Sequence, residues 1–209
     1  VATTFKRLFG GSVPTANSTV NLYTVPTNYK TIIKSFIISN GSASGINVIV
    51  RVANTEILFN YILKAKDTIV IPVMDQCLIA GNAITIYVSG ASNTNVISCY
   101  ISGIEALTTD PEYSGVTRMG LGIIPSSSST IVSSWSKERI VKGIILCNTN
   151  SSDTEVTMEV GGVRILQGFS IKGYDTILIP TTDLLIPASE VITAAGYGIN
   201  YYITGKELG

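Results

Sequence analysis

Histidine is absent from the 209 residues. Without imidazole, Ser-His-Asp and Cys-His nucleophile systems lack their base, and His-ligated metal sites lack their ligands. Charge is scarce too. Fourteen basic and fourteen acidic side chains cancel, and charged residues make up 13% of the chain, against about 25% in an ordinary soluble domain. There is no dense Lys/Arg run, so the electrostatic footprint of a nucleic-acid binder is missing. No apolar stretch approaches the roughly 18 residues of a membrane span. Val1 to Phe9 carries Lys6 and Arg7 but no apolar h-region, so no signal peptide is expected. Cysteine is limited to Cys77, Cys99 and Cys147, without the close spacing of a zinc site. They read as small buried hydrophobes, and free thiols suit a reducing cytoplasm.

What is abundant is apolar surface and neutral polarity. Hydrophobic residues reach 45%, and Ser, Thr and Asn together supply roughly 28%. The chain also repeats itself. At a shift of 108 positions Ile37-Ile38-Ser39-Asn40 meets Ile145-Leu146-Cys147-Asn148, and Val48, Val50 and Val52 meet Val156, Met158 and Val160. Asp67-Thr68-Ile69-Val70-Ile71-Pro72 meets Asp175-Thr176-Ile177-Leu178-Ile179-Pro180. The second copy then loses about six residues, after which Tyr100-Ile101-Ser102-Gly103 pairs with Tyr202-Ile203-Thr204-Gly205. Upstream, Arg7 and Pro14 are spaced like Arg118 and Pro125. A period this long implies two whole domains rather than a solenoid. The expected division is 1–110 and 111–209, with the join near Asp110-Pro111.

The unit reads as all-β. Val48, Val50 and Val52 alternate with their neighbours at a period of two. Asn40-Gly41 marks a turn, and turn signals recur about every 8 to 12 residues, the pattern of a sandwich or barrel. The expected architecture is two tandem β-sandwiches of seven or eight strands each, on a jelly-roll-like or immunoglobulin-like path.

Candidate chemistry is thin. Asp67, Asp75, Asp175 and Asp183 read as turn residues that bond their own backbone, not as acids or metal ligands. Lys34 and Lys142 interrupt apolar strands and read as solvent-facing or edge-protecting lysines. Ser126 to Thr130 has no activating base. Trp135 is either a buried core or interface residue or a sugar-stacking platform. Of Tyr201 and Tyr202, one is expected to face inward and one outward. Phe5, Lys6, Arg7, Leu8 and Phe9 precede Gly10-Gly11. They read either as an arm that orders on a neighbouring subunit or as a plain first strand. These five residues and Trp135 are the candidate interface; no catalytic, cofactor or metal site is expected.

Several segments together carry a resemblance. Leu22-Tyr23-Thr24-Val25-Pro26 leads into Thr31-Ile32-Ile33-Lys34-Ser35, followed by Ile38-Ser39-Asn40, Leu63-Lys64-Ala65-Lys66-Asp67-Thr68 and the closing Tyr100-Ile101-Ser102-Gly103-Ile104-Glu105. The unit resembles a small β-sandwich module of tailed-bacteriophage structural proteins. The likeness covers nearly all of the first copy. It is weaker in the second, where Ser133-Ser134 replaces Val25-Pro26. It implies a non-enzymatic virion protein assembled in the host cytoplasm, as a capsid decoration or a head, neck or tail accessory. The implied partners are major capsid, neck or tail subunits and further copies of itself, in closed rings such as a three-fold one. The alternative is an adhesin module that binds a host glycan or receptor through loops bearing Trp135, Tyr23 or Tyr197.

Overall fold

Eighteen strands and no helix make up the described residues of the computed structural model, which are 3–13, 17–73, 75–90, 96–179, 181 and 183–208. Pro14 and Pro180 lie outside them. The first nine strands are β1 (Thr4–Ser12), β2 (Thr19–Thr24), β3 (Tyr29–Asn40), β4 (Ile46–Val52), β5 (Thr55–Leu63), β6 (Thr68–Val70), β7 (Gln76–Ile79), β8 (Ala83–Ser89) and β9 (Ile97–Leu107). The second nine are β10 (Val116–Ile123), β11 (Ser129–Val132), β12 (Arg139–Asn148), β13 (Thr154–Val160), β14 (Val163–Ile171), β15 (Thr176–Ile179), β16 (Leu184–Ile186), β17 (Ile192–Gly196) and β18 (Ile199–Glu207).

In the first half one sheet runs β1-β9-β3-β6, with β7 also on β3, and the other runs β2-β8-β4-β5. The second half runs β10-β18-β12-β15, with β16 on β12, and β11-β17-β13-β14. The chain changes sheet at every connection except the β4–β5 hairpin and the β6–β7 break, and likewise in the second half. This is the jelly-roll path, so the immunoglobulin-like alternative is set aside. Among the described residues each half has nine strands rather than seven or eight. In the first half the strand after β5 is broken, because Pro72 has no N–H for the ladder and Asp75 takes a left-handed φ of 65°.

Alternation builds the two cores. Val48, Val50 and Val52 of β4 point inward to meet Phe36 and Ile38 of β3 and Ile84, Ile86 and Val88 of β8. Val156, Met158 and Val160 of β13 meet Ile144 and Leu146 of β12 and Ile203 of β18. The β4–β5 turn puts Ala53 and Asn54 at φ 50° and 65°, where the β13–β14 turn has Gly161 and Gly162 at 54° and 79°. Two successive left-handed residues match the twist of a tight hairpin. Both halves also bulge at the same places: at Lys34 and Lys142, and between Arg7 and Phe9 and between Arg118 and Gly120.

Candidate functional site: the junction between the halves

The outer face of the β10-β18-β12-β15 sheet is covered over its centre, and Ile123 at its margin is exposed. It lies on β5 and β7 of the first half. Along β18, Ile199, Tyr201 and Ile203 enter the second core, while Asn200, Tyr202 and Thr204 face the first half and are buried as well. Tyr202 and Ile145 belong to the first half's hydrophobic core, with Leu121 and Leu178 packed at its margin. Cys147 sits beside the backbone of Phe59. The sequence reading puts one of the two C-terminal tyrosines inward and one outward, and they do take opposite faces of β18. The outward one, Tyr202, is buried as well, because the other half covers that face.

Polar groups fix the register of this junction. The Tyr202 hydroxyl donates to the Cys77 carbonyl at 2.7 Å. The Cys77 N–H, an outward donor of strand β7, donates to Thr204 Oγ1 at 3.0 Å, and Thr204 Oγ1 donates to Gln76 Oε1 at 2.9 Å. Asn200 Nδ2 donates to Glu56 Oε2 at 2.8 Å, and Arg118 Nη1 to Asn82 Oδ1 at 2.7 Å. The Phe59 and Tyr174 rings meet with centroids 5.9 Å apart. The connection at 108–115 is held by buried Lys30, whose ammonium donates to the carbonyls of Tyr113, Ser114 and Val116 at 3.0, 2.9 and 2.7 Å. A buried charge is tolerated where it satisfies several carbonyls at once. Neither Lys30 nor the Asn200–Tyr202–Thr204 strip stands out as a motif; a period-two reading of β18 against two cores is the signal that would find the strip.

Other ionisable groups are engaged structurally. Glu105 accepts from Lys6 Nζ at 2.7 Å and from the Tyr23 hydroxyl at 2.6 Å. Burial pushes its carboxyl pKa up, but the Lys6 and Tyr23 hydrogen bonds and the Lys6 charge outweigh that and hold it below its ordinary value. Burial, with Glu105 as neighbour, raises Tyr23. Lys34 pairs with Asp75 and Lys142 with Asp183, so residues read separately in the sequence are partners across a bulge. Asp67 and Asp175 each accept from the next residue's N–H at 2.8 Å. Asn40 and Asn148, legible only as turn residues, are buried clamps: Asn40 Nδ2 reaches the carbonyls of Ser44, Leu63 and Lys64, and Asn148 Nδ2 those of Ser152, Ile171 and Lys172. Burial pushes the thiols of Cys77, Cys99 and Cys147 up to about 11, 12 and 11. Among the described residues no group of three His, Cys, Asp or Glu could hold a metal.

The candidate interface residues fall in different halves. Phe5 to Phe9 lie in β1, paired with β9, so this stretch is a strand of the sheet and not a detached arm. Phe5 is 75% exposed, whereas Leu8 and Phe9 pack against the first core. Trp135, on the β11–β12 loop, is 49% exposed, so it is not a core residue. It rims a recess of about 320 Å³ with Arg118, Ser133, Ser134, Arg139 and Glu207. Arg139 is buried and donates to the carbonyls of Ser133 and Glu190, while its Nε has no partner among the described residues.

No family model matches this sequence, and no curated protein matches it. Solved structures resemble the fold distantly. The major capsid protein P2 of bacteriophage PM2 is 10% identical at a TM-score of 0.39, over 100% of this chain and 98% of that one. The STIV MCP is 10% identical at 0.30, over 99% and 96%. A peptide-N(4)-(N-acetyl-β-D-glucosaminyl)asparagine amidase is 10% identical at 0.40, over 98% and 96%. Capsid proteins and an amidase stand side by side at these low scores, so the comparisons carry no functional argument.

Proposed function

We propose that this chain is a non-enzymatic structural subunit of a bacteriophage virion, a capsid decoration or a head, neck or tail accessory protein. It works in many copies, held to one another and to major capsid, neck or tail subunits through sandwich edges and loops. Its place is the particle, assembled in the host cytoplasm, with no role for nucleic acid, membrane or cofactor. We further infer that one ancestral sandwich was doubled: the bulges, the Asn40 and Asn148 clamps and the Lys34–Asp75 and Lys142–Asp183 pairs recur at matching positions.

The observation that carries this reading is the junction. Two jelly rolls are locked into one block by buried, register-specific contacts, which suits a component that transmits load and presents faces. The carboxylates support the same reading, since Glu56, Glu105, Asp75, Asp183 and Glu159 are spent on ion pairs. The neutral, hydroxyl-rich surface suits broad wet contacts, and many weak contacts add up by avidity. The virion assignment itself is an analogy from fold and from the Leu22–Pro26 and Tyr100–Glu105 segments. Gradient-purified particles of the encoding phage test it: the chain should co-purify in many copies, and its absence from the particle would refute the assignment.

One observation favours the adhesin reading. Half-exposed Trp135 borders a recess lined by hydroxyls, a guanidinium and the Glu207 carboxylate, a combination that stacks on and hydrogen-bonds to sugars. Glycan-array binding that disappears in Trp135→Ala would establish that role; no binding by the wild-type protein would remove it.

A further inference from the structure

The junction joins two different surfaces: the outer face of the second half's β10-β18-β12-β15 sheet and the β5–β7 edge of the first half. Each half has both surfaces, so one of each is left over, save that Tyr113 and Val116 already cover the Ile32, Ile104 and Ala106 end of the first half's face. On the first half the matching face carries Arg7, Ile37, Val70, Ser98, Tyr100 and Ser102, at the positions of Arg118, Ile145, Leu178, Asn200, Tyr202 and Thr204. Tyr202 is fully buried, whereas Tyr100 is 47% exposed and Val70 69%. On the second half the matching edge carries Val163, Arg164, Phe169, Leu185 and Glu190, at the positions of Thr55, Glu56, Tyr61, Cys77 and Asn82. Strand β5 is largely buried and β14 largely exposed, with Val163, Phe169 and Leu185 open to solvent.

We propose that these two surfaces bind each other between copies of this chain, so that the face bearing Tyr100 of one copy seats on the β14–β16 edge of the next. The occupant is a second copy because the complementary half of each surface is already seen, mated, inside the chain. Transferring the internal contacts gives specific pairs. Tyr100 takes the place of Tyr202 and its hydroxyl donates to the Leu185 carbonyl. Ser102 takes the place of Thr204 and accepts from the Leu185 N–H. The Arg118–Asn82 hydrogen bond becomes an Arg7–Glu190 ion pair. Glu190 occupies Asn82's place in its loop: its N–H donates to the Pro187 carbonyl as the Asn82 N–H does to Ile79. Such a contact is heterologous, so each copy offers both surfaces and the assembly closes into a ring or extends as a filament.

This deepens the homo-oligomer reading above and rests on it only in that copies associate at all. The test is light scattering of purified wild type, Arg7→Glu, Glu190→Arg, the double variant and Tyr100→Ala. Far-UV circular dichroism and urea midpoints confirm that each is folded. The wild type should be a discrete oligomer, and either single reversal should weaken it by roughly a hundredfold or more, because like charges then face each other. The double variant should regain the oligomer, and Tyr100→Ala should lose it with no charge change. A monomeric wild type at every soluble concentration overturns both this proposal and the homo-oligomer reading. An oligomer indifferent to the single reversals or to Tyr100→Ala, or one not restored in the double variant, overturns this proposal alone. Particle incorporation, measured separately, bears on the virion assignment and not on this contact.

Discussion

Truncating two residues at matching positions should have very different costs. Tyr202 is fully buried between the halves, and its hydroxyl bonds the Cys77 carbonyl. Removing a buried aromatic ring costs about 3–5 kcal/mol, so Tyr202→Ala should destabilise the subunit by that amount. Tyr202→Phe keeps the ring and loses only the hydroxyl, leaving the Cys77 carbonyl without that donor; about 1–3 kcal/mol is expected. Tyr100 stands at the matching place on β9 and is 47% exposed, so Tyr100→Ala should cost under about 1 kcal/mol in the isolated subunit. Urea unfolding at a dilution where copies are separate reads all three. Trp135 fluorescence reports the second half and far-UV circular dichroism reports both. In the wild type the two curves should coincide, because the junction couples the halves. Equal costs for Tyr202→Ala and Tyr100→Ala would refute the view that the first half is what buries the outer face of β18.

Four further outcomes follow from the same contacts. Lys30→Met should cost about 2–4 kcal/mol in urea unfolding, since three carbonyls of the connecting segment lose a charged donor. Ala53→Gly should stabilise by up to about 1 kcal/mol, because Ala53 holds a left-handed φ where the other half uses Gly161; a loss of stability would contradict the strain argument. Glu105 has a folded pKa below its unfolded one, so the stability it contributes is fully present above the ordinary carboxylate value and is lost as the pH falls from there through the lower folded pKa. Glu105→Gln should therefore flatten the acid side of the stability profile, and an unchanged acid side would refute the pairing with Lys6 and Tyr23. The three cysteines should resist a thiol reagent at pH 8 in the native protein and react fully in urea, since burial keeps them as thiols.

Much of the architecture was legible because a half-buried strand writes its facing into alternate residues. Val48, Val50 and Val52, and Val156, Met158 and Val160, announce their inward side without reference to the rest of the chain. The junction was not legible for the opposite reason. Along β18 both faces are buried, so Asn200, Tyr202 and Thr204 carry no apolar signature that separates them from the solvent-facing Ser98, Tyr100 and Ser102. Partnerships across distance were equally hidden: Lys34 and Asp75 are 41 positions apart in the chain, and only the bulge at Lys34 aims one at the other. Phe5 to Phe9 leaves an arm and a first strand both open in the sequence, because the bulge between Arg7 and Phe9 blurs the alternation of β1. A lone tryptophan in Ser133-Ser134-Trp135-Ser136 has no periodic neighbours to assign it to a core, an interface or a ligand surface, and on the β11–β12 loop it is half-exposed.

Hydrogen exchange at single-residue resolution, run on the wild-type chain above and below its assembly concentration, decides whether copies join through these two surfaces. The Leu185 N–H lies at the position of the Cys77 N–H, which Thr204 satisfies within the chain. Assembly should slow exchange at Leu185 and along the β14–β16 edge, and leave the Trp135 loop unchanged. Exchange at Leu185 that is the same in both conditions, or protection confined to the Trp135 loop, would contradict such a contact.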